Sequence, residues 1–333
     1  MKLGARILKT GIAIILAVSI ASLLPHSAGM VTVAGIAAVV AMQPSVYRTF
    51  KTIVDQFQGN VIGALLAVAM VTIFGNNVII MGQHDGSFYI SAFYRFSLVM
   101  IGVISSFIVN LTFLPPKFET KIYYNSLNIS TDIFKWFNLV LNDATEFNYV
   151  KQDLENLRQR IVKLEQLLEF YKEERVYTKK QVFAQTRKKI LFKEIVLSTR
   201  DAYDVLRRMN RYQNDLVHLN HALLLQIKLE IDELTQFHEQ ILISITKKAK
   251  FDVTLDQRFV PNPLKKEVIT AFQEEVIVDP EPENFSYANI MHIISALEEY
   301  RYNLEHLDRL RVSYFKYHNT DPDIDIIEED FDL

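Results

Sequence analysis

One short stretch, Met42-Gln43-Pro44-Ser45-Val46-Tyr47-Arg48-Thr49, gathers most of what this sequence offers for recognition chemistry. A guanidinium can hold a carboxylate through two parallel hydrogen bonds, so Arg48 is a candidate anion-binding residue. Gln43, Ser45 and Thr49 supply neutral donors and acceptors beside it, and Pro44 lacks an N–H and so frees a carbonyl nearby. Gln43, Ser45, Arg48 and Thr49 form the candidate substrate-binding set. A capped helix end anchored by positive charge is the plainer alternative. Asp55 stands four residues after Lys51, a spacing that pairs the two on one helix face, and proton coupling is a second role open to it.

Other chemistry is thin. His218 and His221 stand at i, i+3 and His238-Glu239 follows later, yet a metal site needs convergent ligands that this spacing does not guarantee. An exposed or capped histidine pair is the better reading, and no metal is expected. No P-loop, dinucleotide fingerprint, nucleophile elbow or zincin helix occurs, so no cofactor is expected and this chain alone is a poor candidate for ATP-driven transport. No acid, base and nucleophile assemble in the sequence, which argues against an enzyme, including one acting at a membrane surface. The chain has no Cys, which excludes disulfides and thiolate chemistry. A net charge of −3 without a basic tract gives no reason to expect nucleic acid.

The elements that must carry these residues fall into two unlike halves. Up to Pro116 there are six basic and two acidic residues, while the remainder holds 30 basic and 37 acidic ones, so a single near-neutral globular domain is excluded. The first half contains four apolar runs: Thr10–Leu24, Met30–Val46, Asn60–Gly75 and Phe96–Leu114. Each approaches the roughly 17–25 residues a membrane helix requires. A cleaved signal peptide is disfavoured, because the first run ends at Pro25-His26 with no small-x-small site and a second run follows at once. Lys2, Arg6, Lys9, Arg48, Lys51, Lys117 and Lys121 fall on one side of a four-span arrangement, which places both termini in the cytoplasm, with Arg95 at the outer end of the last span. Gly59 and Gly63 have the GxxxG spacing and are expected to pack helices.

After Pro115-Pro116 the sequence becomes charged and periodic. Leu154, Leu157, Ile161, Leu164, Leu168 and Tyr171 form a heptad stripe, read as internal core in preference to a dimer seam. Further helices are expected near Phe118–Asn142, Tyr177–Tyr212, Leu216–Lys248, Leu264–Glu275 and Tyr287–His318. No Gly follows Gly102, which suits long helices joined by tight turns. The fold class is thus all-α: a transmembrane helical bundle over 1–116, a cytoplasmic antiparallel helical bundle over 117–320, and an acidic, disordered tail over 321–333.

The opening Leu3-Gly4-Ala5-Arg6-Ile7-Leu8-Lys9-Thr10, the Met42–Ser45 segment with Arg48-Thr49, and Gly59-Asn-Val-Ile-Gly63-Ala64 resemble the bacterial aromatic acid exporter family of the fusaric-acid-resistance type. So do Arg95-Phe96, Gly102 and the junction Val109-Asn110-Leu111-Thr112-Phe113-Leu114-Pro115-Pro116-Lys117-Phe118-Glu119. The order of these motifs makes a specific match over nearly the whole chain. One departure stands out: the family pattern has about six spans, and this chain lacks roughly thirty residues between Asn77 and Arg95. The resemblance implies a multi-pass protein of the bacterial cell membrane that exports aromatic or related organic acids, with the proton gradient as a candidate energy source. Four helices make a thin wall for a polar path, so a homo-oligomer is expected alongside the lipid bilayer and a small organic anion as partners. The alternative is a non-transporting membrane scaffold or sensor whose helical domain binds a partner or ligand.

Overall fold

The computed structural model describes residues 5–24, 31–74, 88–112, 118–141, 147–174, 179–245, 264–280 and 282–317. Among the described residues there are eleven helices and no strand: α1 (Ala5–Ser22), α2 (Val31–Ala41), α3 (Val46–Phe74), α4 (Phe88–Thr112), α5 (Phe118–Leu141), α6 (Phe147–Glu173), α7 (Lys179–Arg211), α8 (Gln213–Val217), α9 (His221–Ile245), α10 (Leu264–Val278) and α11 (Tyr287–Tyr317). They form two compact units, Met1–Pro116 with Glu173–Arg175, and Lys117–Lys172 with Val176–Leu333. The acidic segment 321–333, the shortened stretch after Asn77 as far as Ser87, and the Pro115-Pro116 junction lie outside the described residues.

In the first unit α1, α2 and α4 pack on one another, and α3 packs on α4. The centre is built from small side chains: Ala13, Ala17 and Ala21 of α1 and Ala34 and Ala38 of α2 are fully buried against Met42, Leu98 and Val109. Their i, i+4 spacing lines up one narrow face of each helix, which lets the backbones approach closely. The closest approach is at Gly102, where an added Cβ would run into the Ala34 carbonyl oxygen and lie 2.8 Å from the Ala37 Cβ. Large apolar side chains point outward: Ile15, Ile36, Leu65 and Phe93 are 68%, 64%, 66% and 68% exposed.

Two expectations for this half change. The run Met30–Val46 does not form one helix; α2 ends at Ala41, because Pro44 cannot donate the next backbone bond and restricts the residue before it. The run Asn60–Gly75 is not separate from the charged segment before it, since both belong to the 29-residue α3. Among the described residues, Phe93–Thr112 is long and apolar enough to cross a membrane, while Ile7–Ser22 and Val31–Ala41 are shorter apolar helices.

The second unit has the opposite order, with large side chains inside. The heptad residues Leu154, Leu157, Ile161, Leu164, Leu168 and Tyr171 are all buried in the core of this same chain. Helix α6 is fixed to α5 by Arg160–Asp132 at 2.6 Å and by the Tyr171 hydroxyl donating to Glu119 at 2.7 Å. Helix α7 packs against α5 and α11, and α9 against α11 and α10. The expected helix Leu216–Lys248 is interrupted: α8 ends at Val217, and the Asn220 side chain accepts the Ala222 N–H at 3.1 Å, starting α9 afresh.

Polar groups tie the central helix of this unit to its neighbours. Arg301 of α11 donates to Glu230 of α9 at 2.7 Å and lies 3.7 Å from Glu233, with Arg301 and Glu230 both buried. The Tyr300 hydroxyl and His238 Nδ1 share a hydrogen bond of 2.7 Å. Asn303 donates to Asp201 of α7 at 2.7 Å.

Candidate anion-recognition site

The turn between α2 and α3 is held by its own side chains. Ser45 caps α3: its Oγ accepts the Arg48 N–H at 3.1 Å, and its carbonyl accepts both the Thr49 N–H and the Thr49 hydroxyl at 3.1 Å. Ser45 and Thr49 are fully buried. Gln43 donates from Nε2 to the Val40 carbonyl at 3.3 Å, closing the end of α2. Three of the four candidate residues thus make bonds that shape the turn.

Arg48 is engaged differently. Its Nε and Nη2 donate to the two carboxylate oxygens of Glu173 at 2.6 and 2.8 Å, a fork-to-fork pair. Glu173 is the last residue of α6 and is grouped with the first unit. The Arg48 guanidinium holds the Glu173 carboxyl below its ordinary range. Both side chains are about a third exposed, at 39% and 33%, so this is a solvent-accessible carboxylate clamp.

Two residues absent from the sequence-derived set complete the cluster. Asn110 of α4 is buried; its Nδ2 donates to Thr49 Oγ1 at 2.8 Å and to the Gln43 carbonyl at 3.2 Å. Its Oδ1 accepts from Lys9 Nζ of α1 at 3.2 Å, and Lys9 is itself only 9% exposed. One amide therefore connects α1, α4 and the α2–α3 turn. An asparagine deep in the apolar run 96–114 is the available signal, since a polar group there needs a partner. Lys9, by contrast, reads in the sequence as an ordinary flanking charge.

The remaining candidates lie apart from this cluster. Asp55 is exposed on α3, and among the described residues it forms no ion pair with Lys51. An added Cβ at Gly59 or Gly63 would meet nothing within 4 Å, so among the described residues neither packs against another helix of this chain; Gly102 does that instead. His218 is exposed and contacts the Asn214 carbonyl through Nδ1 at 2.7 Å. No His, Cys, Asp and Glu grouping among the described residues could hold a metal.

The family model for aromatic acid exporter family member 1 matches residues 1–84, which include α1, α2 and the Arg48 turn. The chain is 36% identical over 359 aligned positions to the UPF0421 protein YgaE of Bacillus subtilis, covering 98% of this chain and 100% of that protein. The chain belongs to the aromatic acid exporter family. A second relative, the UPF0421 protein OB2406 of Oceanobacillus iheyensis, is 26% identical over 164 residues, 40% of this chain and 46% of that protein. The alignment to YgaE is longer than this family member itself, so that relative carries about thirty residues with no counterpart here. Membership in an exporter family points to a membrane exporter.

Proposed function

We propose that this protein is a multi-pass membrane secondary transporter that exports aromatic or related organic carboxylates from the cytoplasm. The observation that carries the reading is Arg48, whose guanidinium already presents the bidentate geometry a carboxylate substrate needs and holds a protein carboxylate in it. In this proposal an incoming aromatic acid exchanges with Glu173 on Arg48, with the turn residues Gln43, Ser45 and Thr49 fixing the clamp. Residues 1–116 form the membrane domain with four crossings, 117–320 the cytoplasmic helical domain, and both termini are cytoplasmic. Outward-facing large apolar side chains around a core of alanines support lipid contact, because helices in a bilayer gain from close backbone packing while lipid covers their outer faces. Asp55 is the candidate proton-coupling residue, and assembly of several copies supplies the wall that four helices cannot.

The test is uptake of labelled 4-hydroxybenzoate and a small panel of aromatic acids into inside-out vesicles, with and without an imposed proton gradient. Gradient-dependent uptake that Arg48→Ala abolishes without loss of inserted protein is expected. Uptake unchanged by Arg48→Ala removes the clamp from the route.

A second reading is a non-transporting scaffold or sensor. It is favoured by the residues this chain lacks relative to YgaE. No uptake by correctly inserted protein, together with specific capture of one partner by the full chain in detergent, would replace the transport reading with this one.

A further inference from the structure

Helix α3 leaves one of its sides open. Phe50 and Phe57 stack against Phe107 and Phe96 of α4, with ring centroids 6.2 and 5.9 Å apart, which fixes the side that faces its neighbour. At about 100° per residue, Lys51, Asp55, Gly59 and Gly63 form an i, i+4 row on the side turned away from α4. Among the described residues nothing covers this row: all four are exposed, and a Cβ added at either glycine would meet nothing within 4 Å. Arg48, one turn earlier, is engaged by Glu173, so the open side begins at Lys51. Lys51 is close enough to Glu173 to favour its charged form, and among the described residues Lys51 and Asp55 form no ion pair with each other.

Elsewhere in the first unit, rows of small residues have a helix on them. Ala13, Ala17 and Ala21 of α1 and Ala34 and Ala38 of α2 are fully buried where those helices pack. The glycine row of α3 has the same spacing without such a neighbour. Lipid chains gain little from a backbone groove that a second helix could fill. Lipid also answers the charges of the row poorly. The 29 residues of α3 span about 43 Å against about 30 Å of hydrocarbon, so in the membrane placement proposed above its first turns, with Lys51 and Asp55, reach the inner boundary. An anionic headgroup there pairs with Lys51 and repels Asp55. A second α3 related by a two-fold axis answers both, because each Lys51 then meets the partner's Asp55.

We propose that the open side of α3 seats a second copy of this chain, with the two α3 helices lying side by side. This rests on the membrane placement in the transport reading and names the face through which copies assemble. Copies inserted the same way place the two-fold axis along the membrane normal, so the paired helices are parallel. The glycines supply close backbone contact, with Ile62 and Leu66, 57% and 62% exposed, packing beside them. The charges set register and orientation more than strength, as exposed pairs do. Asp55 holds this role alongside its candidacy for proton coupling.

The chain has no Cys, so one introduced thiol reports contact between copies without background. Full-length Gly59→Cys, Gly63→Cys, Leu65→Cys and Ile15→Cys are oxidised in native membranes. Leu65 and Ile15 are 66% and 68% exposed and lie off the row, so they measure random collision. Linked dimers forming at least about tenfold faster from the two glycine positions are the expected result, since a disulfide needs close Cα atoms. Equal rates at Leu65 and Gly63 overturn the proposal, as does the absence of linked dimer from inserted glycine variants. Neither outcome touches the transport reading, which the uptake assay decides separately. Asp55→Lys sets like charges across the axis and should weaken self-association in liposomes about tenfold, measured by energy transfer between labelled copies. The double reversal Lys51→Asp/Asp55→Lys should restore it, and self-association of Asp55→Lys equal to wild type overturns the charge pairing. If a cysteine variant fails to insert, the charge reversals decide. A wild-type chain that partitions away from the membrane refutes both this inference and the transport reading.

Discussion

Replacing Asp201 with asparagine should make the helical second unit more stable at neutral pH. Asp201 is 5% exposed on α7, and burial raises its carboxyl to about 6 against an ordinary 3.8, with the Asn303 hydrogen bond opposing the shift. Arg200, 3.9 Å away, also favours the charged form, while Glu299 and Asp204 disfavour it. Because the folded state binds the proton more tightly than the unfolded state, its contribution to stability improves as pH falls from about 6 toward 4 and is unfavourable above 6. A rise from 3.8 to about 6 corresponds to about 2–3 kcal/mol at pH 7.5, released when the charge is removed. The introduced asparagine can still accept the Asn303 amide through its own carbonyl, and the weak Arg200 contact is worth about 0–1 kcal/mol. Thermal unfolding can be followed in detergent by the fluorescence of Trp136, the one tryptophan in the sequence, which packs against the core of this unit. The variant should melt about 5–9 °C higher than wild type at pH 7.5. The two should converge near pH 4. A variant no more stable than wild type at pH 7.5, or a difference that stays constant with pH, would refute the argument that a buried charge sits at this position.

His238 should act in the opposite direction: burial lowers its imidazole to about 3, so the unfolded state takes up the proton first and stability is lost as pH falls from about 6.5 toward 3, at up to about 1.4 kcal/mol per pH unit. His238→Phe should flatten that slope in the same fluorescence assay, and an unchanged slope would assign the acid sensitivity elsewhere. Removing Arg301 alone, as Arg301→Leu, strands the buried Glu230 and should cost about 3–5 kcal/mol, whereas the double variant Glu230→Leu/Arg301→Leu should recover most of it; additive losses would contradict this coupling. Gly102→Ala should destabilise the first unit by about 1–3 kcal/mol through collision with the Ala34 carbonyl, read as faster proteolysis or earlier melting in detergent. Gly59→Ala meets open space and should leave a solubilised single copy unharmed. If Gly59 and Gly63 serve contacts between copies, that same variant should lower the mass of the assembly by light scattering.

The legible parts of this fold were those set by local pattern. The heptad stripe from Leu154 to Tyr171 requires only a period of 3.5, and all six residues are buried in the chain's own core. The α2 end and the α8–α9 break were harder, because each depends on one residue: Pro44 withholding a donor and Asn220 offering an acceptor. Which glycine packs helices could not be read from spacing. GxxxG at Gly59 and Gly63 is a one-helix pattern, whereas the tight contact at Gly102 exists only because α2 runs past it. The site divides the same way. Arg48 is conspicuous by type, but Asn110 lies 61 residues from Thr49 and 101 from Lys9, so their juxtaposition is a tertiary fact.

The contrast between the two units bears directly on how Arg48 works. In the second unit the large apolar residues are inside and the charges pair at its surface or in bonded clusters such as Arg301–Glu230. In the first unit the centre is built from alanines with Met42, Leu98 and Val109, while Ile15, Ile36, Leu65 and Phe93 face outward, so a charged group there must be held by specific partners. Arg48 is bonded by the Glu173 carboxylate through two parallel hydrogen bonds. In the proposed route a carboxylate ligand has to displace Glu173 from Arg48, so Glu173→Gln, by removing the competing charge, should lower the KM for benzoate in vesicle uptake. A rise in KM for that variant would show that Glu173 helps capture the acid and would reverse the proposed order of exchange.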